Sequence, residues 1–361
     1  MKEIYNKFKC TADKCKQTCC EGWDINIDEK TYSKWNEDKL ESYLSNTLCK
    51  NNDEYIIRKD IKESCPFLDE KGLCKIVKVH GDDYISETCR TFPRIINDKD
   101  IKEYSLSCAC PEVVELIYEM NKKLGFNKES KLLELKLRNL AIEIIQNEKL
   151  PVDTKILIAY DMLLTALENN DNSDEIILEL LEKYSCKSYI DDLYRAISED
   201  EIDLYDSLDE INSLFLDIIA NYKEVPSFKK KLEDIYDFAQ GVSIDELYSN
   251  WNEYNDDFKQ NDLLIENIIV SEIYSNCSCD SIEELVISFQ LVILEYILIK
   301  YANFISVKLS KENEINLEKL KEFIVCFYRI IGNNKEAVIE FIYEGFESEV
   351  FGIEYANLIL I

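Results

Sequence analysis

Four thiols sit within eleven residues in the stretch CTADKCKQTCC, residues 10 to 20, spaced C-x4-C-x3-C-C. Cys65, Cys74, Cys89 and Cys110 extend the series at wider intervals. A lone buried cysteine packs as a small hydrophobe, and that reading suits Cys49, Cys186 and Cys326. Four in eleven residues ask for other chemistry. The start, MKEIYNKFKC, lacks the apolar core of a secretory signal, so the expected compartment is the reducing cytoplasm, where structural disulfides are rare. Metal or cluster binding is then the expectation. Structural zinc takes four Cys, or three Cys and a His, on C-x2-4-C knuckles. His80, the single histidine, lies outside any such knuckle and reads as a loop residue. Sulfur-only ligation at irregular spacing suits an iron–sulfur cluster held by four thiolates, with zinc as the alternative metal. Eight thiols serve either two such sites or one with four to spare. Adjacent Cα atoms lie about 3.8 Å apart, and neighbours in extended chain point opposite ways. Cys19 and Cys20 are therefore expected not to share one iron.

The pieces FKC-x4-C-x3-CC-x2-W-x-I, CPFLD-x4-C-x-I, ISETCRTFPR and SLSCACPEVVEL follow one another in order over residues 8–117. Together they resemble the flagellin lysine-N-methylase family, part of a wider group of bacterial proteins whose cysteine cluster chelates zinc or iron. The resemblance implies methyl transfer from S-adenosylmethionine to the ε-amino groups of flagellin lysines. It also implies an iron–sulfur cofactor of the 4Fe-4S kind. By position it carries over Cys10, Cys15, Cys19, Cys20, Cys65, Cys74, Cys89 and Cys110 as the motif cysteines. Cys108 departs from the single cysteine usual before Pro-Glu. Beyond about residue 120 the resemblance is one of length and helical character.

Independent support for methyl transfer is partial. The chain has eight glycines and no G-x-G-x-x-G loop after a strand, against a Rossmann-type cofactor site. Residues 15–20 read C-x3-C-C instead of the C-x3-C-x2-C familiar from radical S-adenosylmethionine enzymes. Lysine methylation needs a neutral amine aligned with the sulfonium carbon, and a Tyr or carboxylate to accept its proton. No residue is singled out for that role among 22 tyrosines. Arg90 and Arg94 flank TFP. They would hold the donor's carboxylate or offset the charge of a thiolate-bound cluster, or else pair with acidic residues of the body. Trp23 reads as core packing before donor stacking, and Asp24 as a solvated strand residue before a lysine grip. Cys277 and Cys279 read as packed thiols.

Ten of the fourteen cysteines lie in the first 110 residues. Charge divides at the same place. Residues 1–110 carry 19 Lys and Arg against 21 Asp and Glu, so nearly all of the chain's net −30 falls beyond them. The expected organisation is a cysteine-rich α+β module over 1–111, followed by an acidic all-α domain over 112–361. In the module, WDINID alternates as a short strand with Trp23, Ile25 and Ile27 on one face. Asp28 caps a helix to about Asn36, and CPFLDEKGLCKI contains a tight turn. From Pro111 a helix runs toward Gly125. Further helices are expected at 130–147, 152–169, 174–184, 205–222, 227–239, 243–258, 262–275, 281–308, 315–331 and 334–347. Leu285, Phe289, Val292, Tyr296 and Ile299 recur on one face of the longest, which reads as the buried centre of a bundle.

The charge balance excludes nucleic acid as a partner, because phosphate must be met with Lys and Arg. The uncharged run Leu285–Leu294 is about half of what a membrane span needs, so no membrane partner is expected. An acidic body would steer lysine-rich flagellin surfaces toward the protein, an effect that weakens with salt. The other class of function is a non-enzymatic zinc- or iron–sulfur-binding module, an electron carrier or a protein-docking protein. Methyl-lysine on flagellin separates the two.

Overall fold

The computed structural model describes residues 1–21, 25–38, 47–51, 54–58, 64–170, 173–200, 202–220, 222, 226–310 and 314–361. It is mainly helical. Each helix expected beyond Pro111 is present, with ends moved by a few residues. Pro111 takes the first position of the Pro111–Met120 helix, as its fixed φ favours. That helix stops earlier than expected, because Asn121 turns left-handed at φ 46. A further helix, Lys187–Glu199, occupies a stretch where the sequence predicts none, with Ile190 buried and Leu193, Tyr194 and Ile197 packed on the core.

The Ile282–Leu309 helix is the centre. Ser281 caps its start by accepting from Glu284 N–H at 3.1 Å. Its expected apolar stripe is buried, and so are Leu291, Leu294 and Ile297 on the other faces. The Val152–Glu168, Leu317–Ile330 and Asp262–Asn276 helices pack around it. Among the described residues, no helix is long and apolar enough to cross a membrane.

Strands lie in the first 110 residues. β1 (Asn26–Ile27), β2 (Leu48–Asn51) and β3 (Glu54–Ile57) form an antiparallel sheet in the order β1-β3-β2. β4 (Arg94–Asp98) and β5 (Lys102–Leu106) pair in register from Arg94 with Leu106 to Asp98 with Lys102. Ile25 and Ile27 are buried as their alternation requires, whereas Trp23 and Asp24 lie outside the described residues. Asp28 caps the Glu29–Glu37 helix by accepting from Thr31 N–H at 2.9 Å. The turn after Phe67 is held by Asp69, which accepts from Lys71 and Leu73 N–H, with Gly72 at φ 73. His80 ends the Lys75–His80 helix instead of sitting in a loop, its ring 5.1 Å from that of Tyr84.

Two apolar cores result. The small one gathers Ile25, Ile27, Trp35, Ile57, Cys65, Phe67 and Ile76. The large one is built from the helices, and also takes in Met1, Ile4, Phe8, Leu106, Cys108 and Cys110. A buried bidentate pair ties hairpin to bundle: Arg138 donates to Glu103 at 2.7 and 2.6 Å.

Candidate functional site: the gathered cysteines and a buried arginine

Local structure brings the motif thiols together from five segments. The Cys20 carbonyl accepts from Cys65 N–H at 2.9 Å, and Glu21 bridges to Ser64, so the first cysteine stretch lies along the second. Leu68 bridges back to Cys74 across the Asp69 turn. Ser86 caps the Glu87–Thr91 helix by accepting from Cys89 N–H at 3.2 Å, and Asp28 reaches over to accept from Glu87 N–H at 2.8 Å. Cys65 is buried in the small core, with Cys20, Cys74 and Cys89 packed on it. Cys110 stands at the start of the Pro111–Met120 helix. Cys10 stands apart on the surface.

The thiols feel one another electrostatically. Cys65 senses Cys89, Cys74 and Cys19, while Cys110 senses Cys15 and Cys19. Burial pushes the thiols of Cys65 and Cys110 up to about 12 and that of Cys89 up to about 11. Cys19 is shifted the other way, first by a hydrogen bond with Cys20 and then by the Arg329 charge. Residues 19 and 20 sit in a turn and not in the extended chain on which their opposite orientation was expected. Among the described residues, no three of His, Cys, Asp and Glu stand close enough to hold a metal ion. The donor set fits a thiolate-ligated cluster in kind, being sulfur drawn from seven gathered cysteines, without forming a ligating polyhedron.

Beside part of this sulfur lies a cation that sequence reasoning did not select. Arg329 is 1% exposed. It donates to three carbonyls: Ala109 at 2.9 Å, Thr18 at 2.8 Å and Gln17 at 3.0 Å. Burial works against its charge, and Cys19, Cys110, Cys326 and Cys15 work for it. Its signal was present in FIVCFYRII, a cation inside an apolar run.

Arg90 and Arg94 are placed differently. Arg90 is exposed. Arg94 donates to the Phe8 carbonyl at 3.3 Å, with its guanidinium 4.9 Å from the Phe8 ring centre. Neither makes an ion pair with an acidic residue among the described residues. Of the cysteines expected to pack, Cys326, Cys277 and Cys279 are buried and Cys49 is half-buried. Cys186 is exposed, beside Ser188 Oγ at 3.2 Å.

A cavity of about 270 Å³ adjoins two of the cysteine segments. Thr88, Thr91, Phe92, Pro93, Arg94 and Ile95, next to Cys89, form one wall, and Ser107 another. Glu272 and Asn276 of the Asp262–Asn276 helix close it, with Tyr328, Gly332 and Asn333.

Comparison with known proteins shows the family. The model of the FliB lysine N-methylase C-terminal domain matches residues 138–359. The lysine-N-methylase of Salmonella typhimurium is 35% identical over 120 residues, which are 31% of this chain and 30% of that protein. The flagellar biosynthetic protein FliU of Salmonella muenchen is 32% identical over 138 residues, 34% of this chain and 82% of that one. The chain thus spans less than a third of the length of the curated lysine-N-methylases it matches. No solved structure matches. With its matched helices forming the bundle and supplying the arginine that holds the cysteine segments, the chain belongs to the FliB lysine N-methylase family.

Proposed function

We propose that the protein transfers a methyl group from S-adenosylmethionine to the ε-amino groups of flagellin lysines, in the cytoplasm, and depends on a thiolate-bound iron–sulfur cluster of the 4Fe-4S kind. The observation that carries this reading is the family match over residues 138–359. The names of the relatives, lysine-N-methylase and flagellar biosynthetic protein, support the acceptor and its setting. Cys10, Cys15, Cys19, Cys20, Cys65, Cys74, Cys89 and Cys110 are the proposed ligand pool, within a module over 1–111 carried by an acidic helical domain over 112–361. When bound, such a cluster supplies a redox-active centre whose properties depend on net charge, hydrogen bonds and burial.

The chain's own residues act on that centre in definable ways. Arg329 places one fixed positive charge among the thiols and holds the 17–18 and 109 carbonyls in a single fork. Ser86 and Asp28 fix the short helix that carries Cys89. Burial of Cys65, Cys89 and Cys110 disfavours free thiolates, so proton loss there is coupled to binding a cation.

The experiment is to purify the protein without oxygen, measure iron, zinc and acid-labile sulfide, and incubate it with flagellin and S-adenosylmethionine. Methyl-lysine by mass spectrometry, together with iron and sulfide, is the expected result. Zinc without sulfide would remove the cluster. Iron and sulfide with unmodified flagellin would favour an electron-carrying or docking protein.

A further inference from the structure

The cavity beside the Cys89 and Cys110 segments contains polar atoms that the protein itself does not use. Glu272 and Tyr328 are each 1% exposed. Glu272 Oε2, Tyr328 Oη and Asn333 Nδ2 are buried without a hydrogen-bond partner, and all three residues line this one cavity. A buried polar atom left unpaired costs about 1–3 kcal/mol, so three such atoms on residues that line one space point to a ligand. The other Glu272 oxygen is occupied, since Asn276 Nδ2 donates to Oε1 at 2.8 Å. That bond leaves Oε2 as the free acceptor.

Phe92, Pro93 and Ile95 make part of the wall apolar and would flank an alkyl stem. Arg94 also lines the cavity, with its guanidinium held by the Phe8 carbonyl. Gly332 gives close approach: a Cβ there would lie 3.4 Å from Glu295 Oε1 and 2.6 Å from the Tyr328 carbonyl oxygen. A second buried carboxyl thus stands behind the first. Lys335 favours the charged form of both, but makes no ion pair with either among the described residues.

We infer that this cavity binds a primary alkylammonium group, with Glu272 Oε2 as its charge partner and Tyr328 Oη as its second acceptor. Two sources share that chemistry, a lysine side chain and the α-amino group of the methyl donor. That either is the natural ligand rests on the lysine-methylase reading; the ammonium site itself does not. Once bound, the ammonium can pass one proton to Glu272 Oε2. An N–H bond breaks and an O–H bond forms, both charges vanish, and the amine lone pair is freed without another reagent. Burial raises the Glu272 and Glu295 carboxyls, in keeping with proton acceptance. Asn333 Nδ2 would serve a carbonyl or carboxylate oxygen near the amine.

The test is calorimetric titration of the full chain, purified without oxygen, with n-butylammonium chloride and with butan-1-ol as its uncharged match. Saturable binding of n-butylammonium is expected, weakened about ten- to a hundredfold in Glu272→Gln and several-fold in Tyr328→Phe. Butan-1-ol should bind far more weakly. No saturable binding by the wild type, equal binding of the alcohol, or unchanged affinity in both variants would overturn the site. Two substitutions are used because Tyr328→Phe removes only an unpaired hydroxyl, so one folded variant is available even if Glu272→Gln is disrupted. Displacement by a lysine-bearing flagellin peptide would support the site and assign it to the acceptor. Displacement by S-adenosylmethionine would support it and assign it to the donor. Binding of n-butylammonium by protein that leaves flagellin unmethylated would support the site while removing the methylase reading.

Discussion

Arg329 Nη1 donates to the Thr18 carbonyl at 2.8 Å, joining two residues 311 positions apart. The same side chain reaches Gln17 and Ala109, so one guanidinium organises both cysteine-bearing segments from the far end of the chain. Truncation to Met would leave three carbonyls without their donor, at a cost of about 1–3 kcal/mol for each that stays buried. Lys would keep the charge but not the fork. On the cluster reading proposed above, Arg329→Met should lower both the melting temperature and the bound iron. Arg329→Lys should retain part of the iron with a shifted reduction potential. Wild-type iron content and potential in both variants would show that the arginine does not act on the cluster.

The hairpin's attachment offers a second test. Arg138 and Glu103 have side chains 0% and 6% exposed and bond in bidentate fashion. Glu103→Ala leaves the guanidinium buried without its charge partner, which typically costs about 3–5 kcal/mol. The double substitution Arg138→Met with Glu103→Leu should recover much of that loss. Urea midpoints of the two single variants and the double would check it, and a double variant no better than Glu103→Ala would contradict the account.

Acid–base linkage gives a third. Burial raises the carboxyls of Glu272 and Glu295 above their ordinary 4.5. A carboxyl raised in the folded state keeps protons that the unfolded chain has released. Its contribution to stability is therefore full below the unfolded value and is lost as pH rises through the folded one. Melting temperature should fall from this pair as pH rises above 4.5, for Glu272 through about 7, and Glu272→Gln should flatten that fall. An unchanged slope in the variant would mean that other groups set it.

The cysteines can be sorted by substitution. Cys20→Ala, Cys65→Ala and Cys89→Ala should each remove most of the bound iron if the gathered thiols are the ligand pool. Cys186→Ala, at an exposed thiol remote in sequence from that pool, should leave iron unchanged. Iron and sulfide analysis after anaerobic purification reads all four. Full iron in the first three would sink the proposed ligand set.

Much of the secondary structure was legible because its causes are local. Asp28 caps a helix because the N–H it accepts from, that of Thr31, is only three residues away. Pro111 starts a helix because its φ is already helical. The Asp69 turn needs only its own side chain and Gly72. The four short strand pieces at 48–57 and 94–106 escaped because their partners are set by pairing and burial. Glu103 and Ser105 are polar at buried strand positions, and the burial of Glu103 is explained by Arg138, a residue 35 positions away. The sequence by itself also determined that cysteine is concentrated in the first 110 residues, and that acid dominates the rest. It could not single out Glu272 among 72 acidic residues, or Tyr328 among 22 tyrosines. Charge and hydroxyl are properties of a residue type, whereas lacking a partner is a property of a place. Only the tertiary structure, by packing the Asp262–Asn276 and Leu317–Ile330 helices against TFPR and the Cys110 segment, decided which residues with unpartnered polar atoms line a cavity and which arginine was buried beside the cysteine segments.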